Sequence, residues 1–295
     1  AFGAHTVILP MFEPAATMDA IDAYRPTDTV MVPTMIGLTM AHPDFRPERL
    51  AGLRELVYGA SPMPRDLLDR LLELYPDMNI WQGYGMTECC AVLTLLGPAE
   101  HRRGGALLGS AGRAVPGVEL SIRNELGSEV AQGGTGEVCA RGGHFMVEYW
   151  NQPEATRQAF RDGWYHTGDA GYLDAEGYLY LVDRVKDMIV TGGENVYSIE
   201  VENALASHPA VLQVAVIGIP HDTWGEQVHA VVVLVPGADV DADELIAHCR
   251  EWIAGYKVPK SIEFRAEPLP LSGAMKVLKR ELRDPYWEGL ERRIN

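Results

Sequence analysis

Two short stretches carry residues suited to chemistry on a nucleotide. Trp164-Tyr-His-Thr-Gly-Asp169 reads as an aromatic strand ending in a glycine turn that leaves a carboxylate facing a cleft. A carboxylate so placed can accept hydrogen bonds from both hydroxyls of a ribose. Asp183-Arg-Val-Lys-Asp-Met-Ile-Val-Thr-Gly-Gly-Glu-Asn195 starts as a charged joint and runs into a second glycine turn, Gly192-Gly193. Its Arg184 can reach the same sugar or its phosphate. Alone, Thr167-Gly168-Asp169 reads more readily as a hairpin with a solvated carboxylate. Two charged clusters this close together favour the functional reading.

Three further segments add candidates. Gly59-Ala60-Ser61 is a small-residue turn, by itself a weak signal. Gly83-Tyr84-Gly-Met-Thr87-Glu88 is stronger, because Thr87 offers a hydroxyl and Glu88 a carboxylate beside glycines that let backbone approach a phosphate. Glu88 suits Mg²⁺, which takes one or two carboxylates plus phosphate oxygens. The competing reading is a helix start, with Thr87 as cap and Glu88 favouring the dipole. Lys276 lies in Pro268-Leu-Pro-Leu-Ser-Gly-Ala-Met-Lys276, a loop held by prolines and glycine immediately before a last helix. An exposed lysine is normally just solvated, but this position gives it a reason to be functional.

The elements that must position these residues are of two kinds. Strands are expected at Thr6–Pro10, Thr29–Pro33, Leu53–Tyr58 and Asn79–Gln82, with helices at Ala15–Tyr24 and Pro64–Tyr75. Such alternation predicts a parallel α/β sheet, which binds ligands beyond the carboxyl ends of its strands. From about Gly104 the texture becomes glycine-rich with short β segments (Val118–Arg123, Gly136–Arg141, Tyr178–Val182), as in a small barrel or sandwich. Phe145–Trp150 is aromatic and expected to pack. After Arg184, helices at Tyr197–Ser207 and Asp241–Ala254 flank β-branched strands at Val211–Ile219 and Val228–Val235. A strand at Ser261–Arg265 and a last helix at Val277–Arg283 complete an α+β domain.

Composition bounds the function. The 295 residues suggest two domains, and 47% hydrophobic with 22% charged residues is ordinary soluble composition. A net charge of −16 argues against nucleic acid or an anionic membrane as partner. No apolar run is long enough for a membrane span, and no signal peptide is evident. Cys89, Cys90, Cys139 and Cys249 have neither metal nor disulfide spacing, which predicts a reducing cytoplasm. All lysines follow residue 185, so no lysine-bearing phosphate loop precedes them. The chain opens at Ala1 directly into strand-like sequence, which predicts an upstream continuation.

Taken together, Tyr84-Gly-Met-Thr-Glu88, Gly136-Glu137, Tyr165-His-Thr-Gly-Asp169, Asp183-Arg184 to Glu202, and the Lys276 loop resemble, in order and spacing, the motifs of the adenylate-forming superfamily. The resemblance spans essentially the whole chain. Gly192-Gly-Glu-Asn-Val-Tyr197 before Glu200-Val-Glu202 is most similar to fatty-acid and aryl acyl-CoA ligases. The implied fold is α/β: residues 1–185 as the carboxyl-terminal part of a large AMP-binding domain (α/β to about 103, a β-barrel subdomain after), then a small mobile α+β domain over 186–295. The implied activity is ATP-dependent activation of a carboxylic acid to acyl-AMP, followed by transfer to the CoA thiol.

By this resemblance Thr87 contacts phosphate and Glu88 holds Mg²⁺. Asp169 and Arg184 bind ribose, while Gly59-Ala60-Ser61 and Tyr84 flank adenine. Lys276 bridges the substrate carboxylate and the α-phosphate. The small domain then turns about Lys186, and Gly192-Gly193 lines the pantetheine tunnel. Apolar residues at Val32–Leu38 and after Glu88 are expected to wall the acid's pocket. Two departures stand out: the superfamily's Ser/Thr/Gly-rich loop is absent, and Met275 occupies a position usually held by Gly. The first predicts a separate amino-terminal half as partner, or self-association. Rival readings are an enzyme that loads a carrier protein, and a catalytically silent nucleotide-binding module.

Overall fold

The computed structural model describes residues 3–124, 126–184, 186–272 and 276–289. The chain divides into two compact units: residues 1–120, 140–165 and 173–180 form the first, and residues 121–139, 166–172 and 181–295 the second.

The first sheet comprises β1 (Asp28–Met31), β2 (Glu55–Gly59), β3 (Asn79–Tyr84), β4 (Thr94–Leu96) and β5 (Arg113–Ala114), in that order. β1, β2 and β3 are parallel; β4 and β5 continue the sheet antiparallel. Helices α2 (Pro33–Ala41) and α3 (Arg65–Leu74) supply the connections that parallel strands require, and α1 (Pro14–Tyr24) precedes β1. α3 buries Leu68 and Leu71 at helical spacing, and these pack with Met18, Ile36, Leu56 and Ile80 into one core. A short α4 spans Pro98–Arg103.

One expectation fails here. Thr6–Pro10 forms no strand: Ile8 is 83% exposed, and an apolar run without a neighbouring strand cannot satisfy its backbone as sheet. Val32–Leu38 is mainly the start of α2, with Pro33 and Ile36 buried and Leu38 exposed.

The second sheet contains β6 (Val118–Arg123), β7 (Gly136–Gly142), β9 (Trp164–Leu173) and β10 (Leu179–Arg184) in the order β10-β9-β7-β6. The two-residue β8 (Phe160–Arg161) pairs with β9 after helix α5 (Pro153–Ala159). The β-rich region is therefore an open sheet among the described residues, not the expected closed barrel. Its outer strands β6 and β10 do not pair, and so few strands fall short of the roughly eight that close around a filled interior. In the expected aromatic segment Phe145 packs against Phe160 and Tyr165, but Trp150 is 84% exposed.

The third sheet, within the second unit, has the order β12-β11-β14-β13, with β15 parallel to β14. Its strands are β11 (Ile189–Thr191), β12 (Glu194–Val196), β13 (Val211–His221), β14 (Gly225–Leu234) and β15 (Ser261–Arg265). Val216, Ala230 and Val232 face helices α6 (Ser198–Ala206) and α7 (Ala242–Trp252), while Ala215, Ile217, Val231 and Val233 pack with Leu269 and Leu282 on the other face. Burial on both faces explains why β13 and β14 read as continuous apolar runs. The last helix, α8, begins at Lys279 instead of Val277, because Val277 is taken into a bridge with Leu271.

Candidate active site

In the first unit, the candidates gather where the parallel strands β2 and β3 end. Gly59 pairs with Gly83 in register, and a Cβ on Gly59 would come within 2.2 Å of the Gly83 carbonyl oxygen. Ala60 follows at φ 68°, left-handed backbone that costs a non-glycine residue about 1 kcal/mol or more. A strained, exposed turn at a strand's carboxyl end is the kind of feature that marks a binding loop in such sheets. Ser61, next in the turn, is half-buried.

Past β3, Gly85 lets the chain fold back so tightly that a Cβ there would lie 2.1 Å from the Ala91 carbonyl oxygen. Thr87–Cys89 is then a single 3₁₀ turn preceded by Met86, so there is no α-helix for Thr87 to cap. Thr87 is exposed, and Tyr84 packs half-buried against Cys89 and Leu93.

Glu88 is held in place from two directions. The Tyr149 hydroxyl donates to Glu88 Oε1 at 2.7 Å, and the Met146 amide donates to the Glu88 carbonyl at 2.7 Å. Burial and the Glu88 carboxylate raise the Tyr149 hydroxyl's pKa, and a further bond joins Tyr149 to the Tyr165 hydroxyl. Both tyrosines are thus kept protonated as donors. Glu88 stays half-exposed, and a single accessible carboxylate is the donor set Mg²⁺ ordinarily takes from protein. Tyr149 escapes sequence reasoning, since its aromatic neighbours mark the stretch as packing.

In the second unit, β9 does not turn at Thr167-Gly168-Asp169 as the sequence predicts; it runs straight through to Leu173. Gly168 takes φ +74° within the strand, a local irregularity instead of a chain reversal. The Thr167 hydroxyl donates to the Val138 carbonyl at 2.7 Å and accepts from the Asp169 amide at 3.1 Å. Asp169 Oδ1 lies 3.7 Å from Arg184 Nε; the carboxylate is mostly buried and the guanidinium mostly exposed.

Lys276 completes this group. Burial and the like charge of Arg184 hold its ammonium below the usual lysine range, while Asp169 pulls the other way. The Ser272 amide donates to the Lys276 carbonyl at 2.7 Å, next to the Leu271–Val277 bridge. Asp169 and Arg184 thus lie side by side, and the charges of both act on Lys276. The Met275 departure lies outside the described residues.

The remaining candidates lie around the third sheet. Lys186 is exposed in the connection from β10 to β11, and Arg283 reaches its carbonyl at 3.4 Å. Gly192 and Gly193 join β11 to β12 at φ 61° and 86°, the paired positive angles of a tight hairpin turn. Asp183 accepts from the Arg184 amide at 2.7 Å and from the Ser198 amide. Lys279 pairs with Glu202 at 2.7 Å and with the Ser198 hydroxyl at 2.6 Å. Burial pushes the Asp183 carboxyl up, and Lys279 opposes that shift.

Strand-end glycines over a parallel sheet in the first unit and, within the second, an acid–guanidinium pair and a loop lysine are each of a kind suited to an anionic ligand. The chain belongs to the AMP-binding enzyme family: that family's pattern matches residues 1–150, and the pattern of the AMP-binding enzyme C-terminal domain matches residues 200–276. It is 43% identical over 279 residues to a feruloyl-CoA synthase of an Amycolatopsis species, covering 94% of this chain and 56% of that protein. It is 39% identical to the fatty acid–[acyl-carrier-protein] ligase ScoC of Streptomyces coeruleorubidus, covering 100% of this chain and 57% of the relative. Among solved structures, the amide bond synthetase McbA of Marinactinospora thermotolerans superposes with a TM-score of 0.85 at 35% identity, over 94% of this chain and 56% of that one. The chain spans about half the length of the relatives it matches. Among the described residues no helix is long and apolar enough to cross a membrane.

Proposed function

We propose that this chain is part of an AMP-forming acid–thiol ligase. In the first half-reaction a carboxylate oxygen of the acid attacks the α-phosphorus of ATP, the bond to the β-phosphate oxygen breaks, and pyrophosphate leaves. In the second, the thiolate of CoA attacks the acyl carbon of the acyl-adenylate and AMP departs.

The observation that carries this reading is the grouping of Asp169, Arg184 and Lys276. Asp169 accepts the ribose hydroxyls, and Arg184 orients that carboxylate and adds positive potential. Lys276 neutralises the two anions that must meet, a charge-stabilising role of the kind that dominates many catalysed reactions. In the first unit, Glu88 holds Mg²⁺, which would supply a Lewis acid toward phosphate oxygens. Thr87 adds a hydroxyl toward phosphate, and the Gly59-Ala60-Ser61 turn with Tyr84 bounds the adenine. For the second half-reaction the segment from Lys186 onward turns as a mobile α+β domain, and Gly192-Gly193 contacts pantetheine. On this reading the AMP-binding domain extends to residue 185.

The acid is apolar, aryl or aliphatic, since one relative is a feruloyl-CoA synthase and another a fatty-acid ligase. All four cysteines are free, which supports a reducing cytoplasm. The full-length coverage of this chain by an acyl-carrier-protein ligase favours a second reading, with a carrier's phosphopantetheine thiol as acceptor. The test is acid-dependent exchange of labelled pyrophosphate into ATP, followed by thioester formation with CoA against phosphopantetheinyl carrier. Absence of exchange with every aryl and fatty acid offered would refute adenylation and leave a silent nucleotide-binding module.

A further inference from the structure

We propose that Glu137 is a positioning residue that clamps the Thr167-Gly168-Asp169 segment and so aims Asp169. This rests on Asp169 being the ribose acceptor.

Glu137 stands on β7, beside β9, and both of its carboxylate oxygens engage that neighbouring strand. Oε1 accepts the Gly168 amide at 3.1 Å, and Oε2 lies 2.7 Å from His166 Nδ1. Between these contacts the Thr167 hydroxyl ties the strand to the Val138 carbonyl. Three consecutive residues are thus fixed by side chains at the point where Gly168 leaves normal strand geometry. A glycine at positive φ has wide backbone freedom, so something must select its conformation. The residue it delivers is Asp169. Glu137 and His166 are 22% and 10% exposed, so water competes weakly for these bonds.

The same neighbourhood admits a different reading. Glu137, Cys139 and His166 bring ligand atoms within 4.8 Å of one another, and Cys139 Sγ lies 3.4 Å from His166 Nδ1. Such a set suits a borderline-soft divalent ion. The clamp explains more, because it accounts for both Glu137 oxygens and for the placement of the next functional residue.

The test compares AMP with 2′,3′-dideoxy-AMP by calorimetry on the 295-residue chain. Dideoxy-AMP offers Asp169 nothing to hold, so the ratio of the two dissociation constants isolates the ribose contact. Glu137→Ala should shrink that ratio about tenfold, the size expected when the group orienting a charged ligand is lost, while leaving dideoxy-AMP binding unchanged. Glu137→Gln should keep the ratio within about twofold of wild type, because its oxygen still accepts from Gly168 and its amide still offers a polar partner to the His166 ring. Thr167→Val, isosteric and lacking both hydroxyl bonds, should shrink the ratio in the same direction and serves if Glu137→Ala does not fold. A wild-type ratio in these variants, or equal weakening of both ligands, overturns the clamp. A wild-type protein with no preference for AMP removes the ribose role of Asp169 and the clamp's purpose with it. Stoichiometric zinc binding lost in Cys139→Ser would make Glu137 a metal ligand and also overturn the proposal.

Discussion

Lys279→Met should destabilise the second unit severely. The lysine lies 2.7 Å from Glu202, with both side chains 18% exposed, and it also faces Asp183. Replacing it with an apolar chain of similar length leaves two carboxylates without their cation. Breaking a buried pair from one side costs about 3–5 kcal/mol, and partial access of water favours the lower end, about 3 kcal/mol. That loss corresponds to roughly a hundredfold faster exchange of amides that open only with the fold. The assay is hydrogen exchange of β13 amides, above all Val216, which donates to Glu202 Oε1 at 2.8 Å. The sign with pH is fixed: burial raises the Asp183 carboxyl, so the folded state binds more protons than the unfolded one. Stability from this group therefore rises as pH falls through the folded pKa, and removing Lys279 enlarges that rise. Glu202→Gln keeps an acceptor for Val216 but strands Lys279. The double variant should cost less than the sum of the single changes, because no cation then faces an empty place. Strict additivity within about 0.5 kcal/mol would refute the argument.

Lys276→Ala, in an active enzyme carrying this chain, should slow adenylation by at least about 10²–10³ while sparing thioester formation from supplied acyl-AMP; equal losses in both half-reactions count against its role. Lys276 should react with an acylating reagent as an amine of lowered pKa. Asp169→Asn should push that titration lower still and Arg184→Ala raise it, as pH-dependent labelling would show. Tyr149→Phe should raise the Mg²⁺ concentration needed for half-maximal adenylation about tenfold, since it frees the Glu88 carboxylate from its orienting donor; an unchanged requirement separates Glu88 from the metal. Lys186→Pro should preserve adenylation and block thioester formation, because proline fixes φ where the joint must change it. Normal thioester formation would show that the pivot lies elsewhere.

What could be read from sequence were residues whose chemistry is stated locally. Asp169, Arg184, Glu88 and Lys276 announce themselves by type beside turn residues, and Gly192-Gly193 specifies its hairpin by itself. The long strands β13 and β14 follow from apolar runs buried on both faces. What escaped depends on partners distant in sequence. Tyr149 reaches Glu88 across 61 positions, and Glu137 reaches Gly168 across 31, so neither contact leaves a local pattern. The same reason explains the errors. A glycine in Thr-Gly-Asp signals a turn only if no neighbouring strand carries it onward, and β7 does carry it. Thr6–Pro10 has strand composition but gains no strand neighbour.

Asp183 and Arg184 are adjacent, yet their obligations point in opposite directions along the chain. Arg184 is held by Asp169, which precedes it, whereas Asp183 is bonded to Ser198 and attracted by Lys279, both of which follow Lys186. A swing pivoting at Lys186 would have to break the Asp183 contacts, while the Arg283 contacts to Lys186 and Asp187 would travel with the moving part. In the proposed swing Asp183 would act as a catch: it would set a toll on leaving one orientation without touching any substrate. The height of that toll would govern how long an enzyme working as proposed waits between its two half-reactions, so the identity of one carboxylate would be read out as a dwell time.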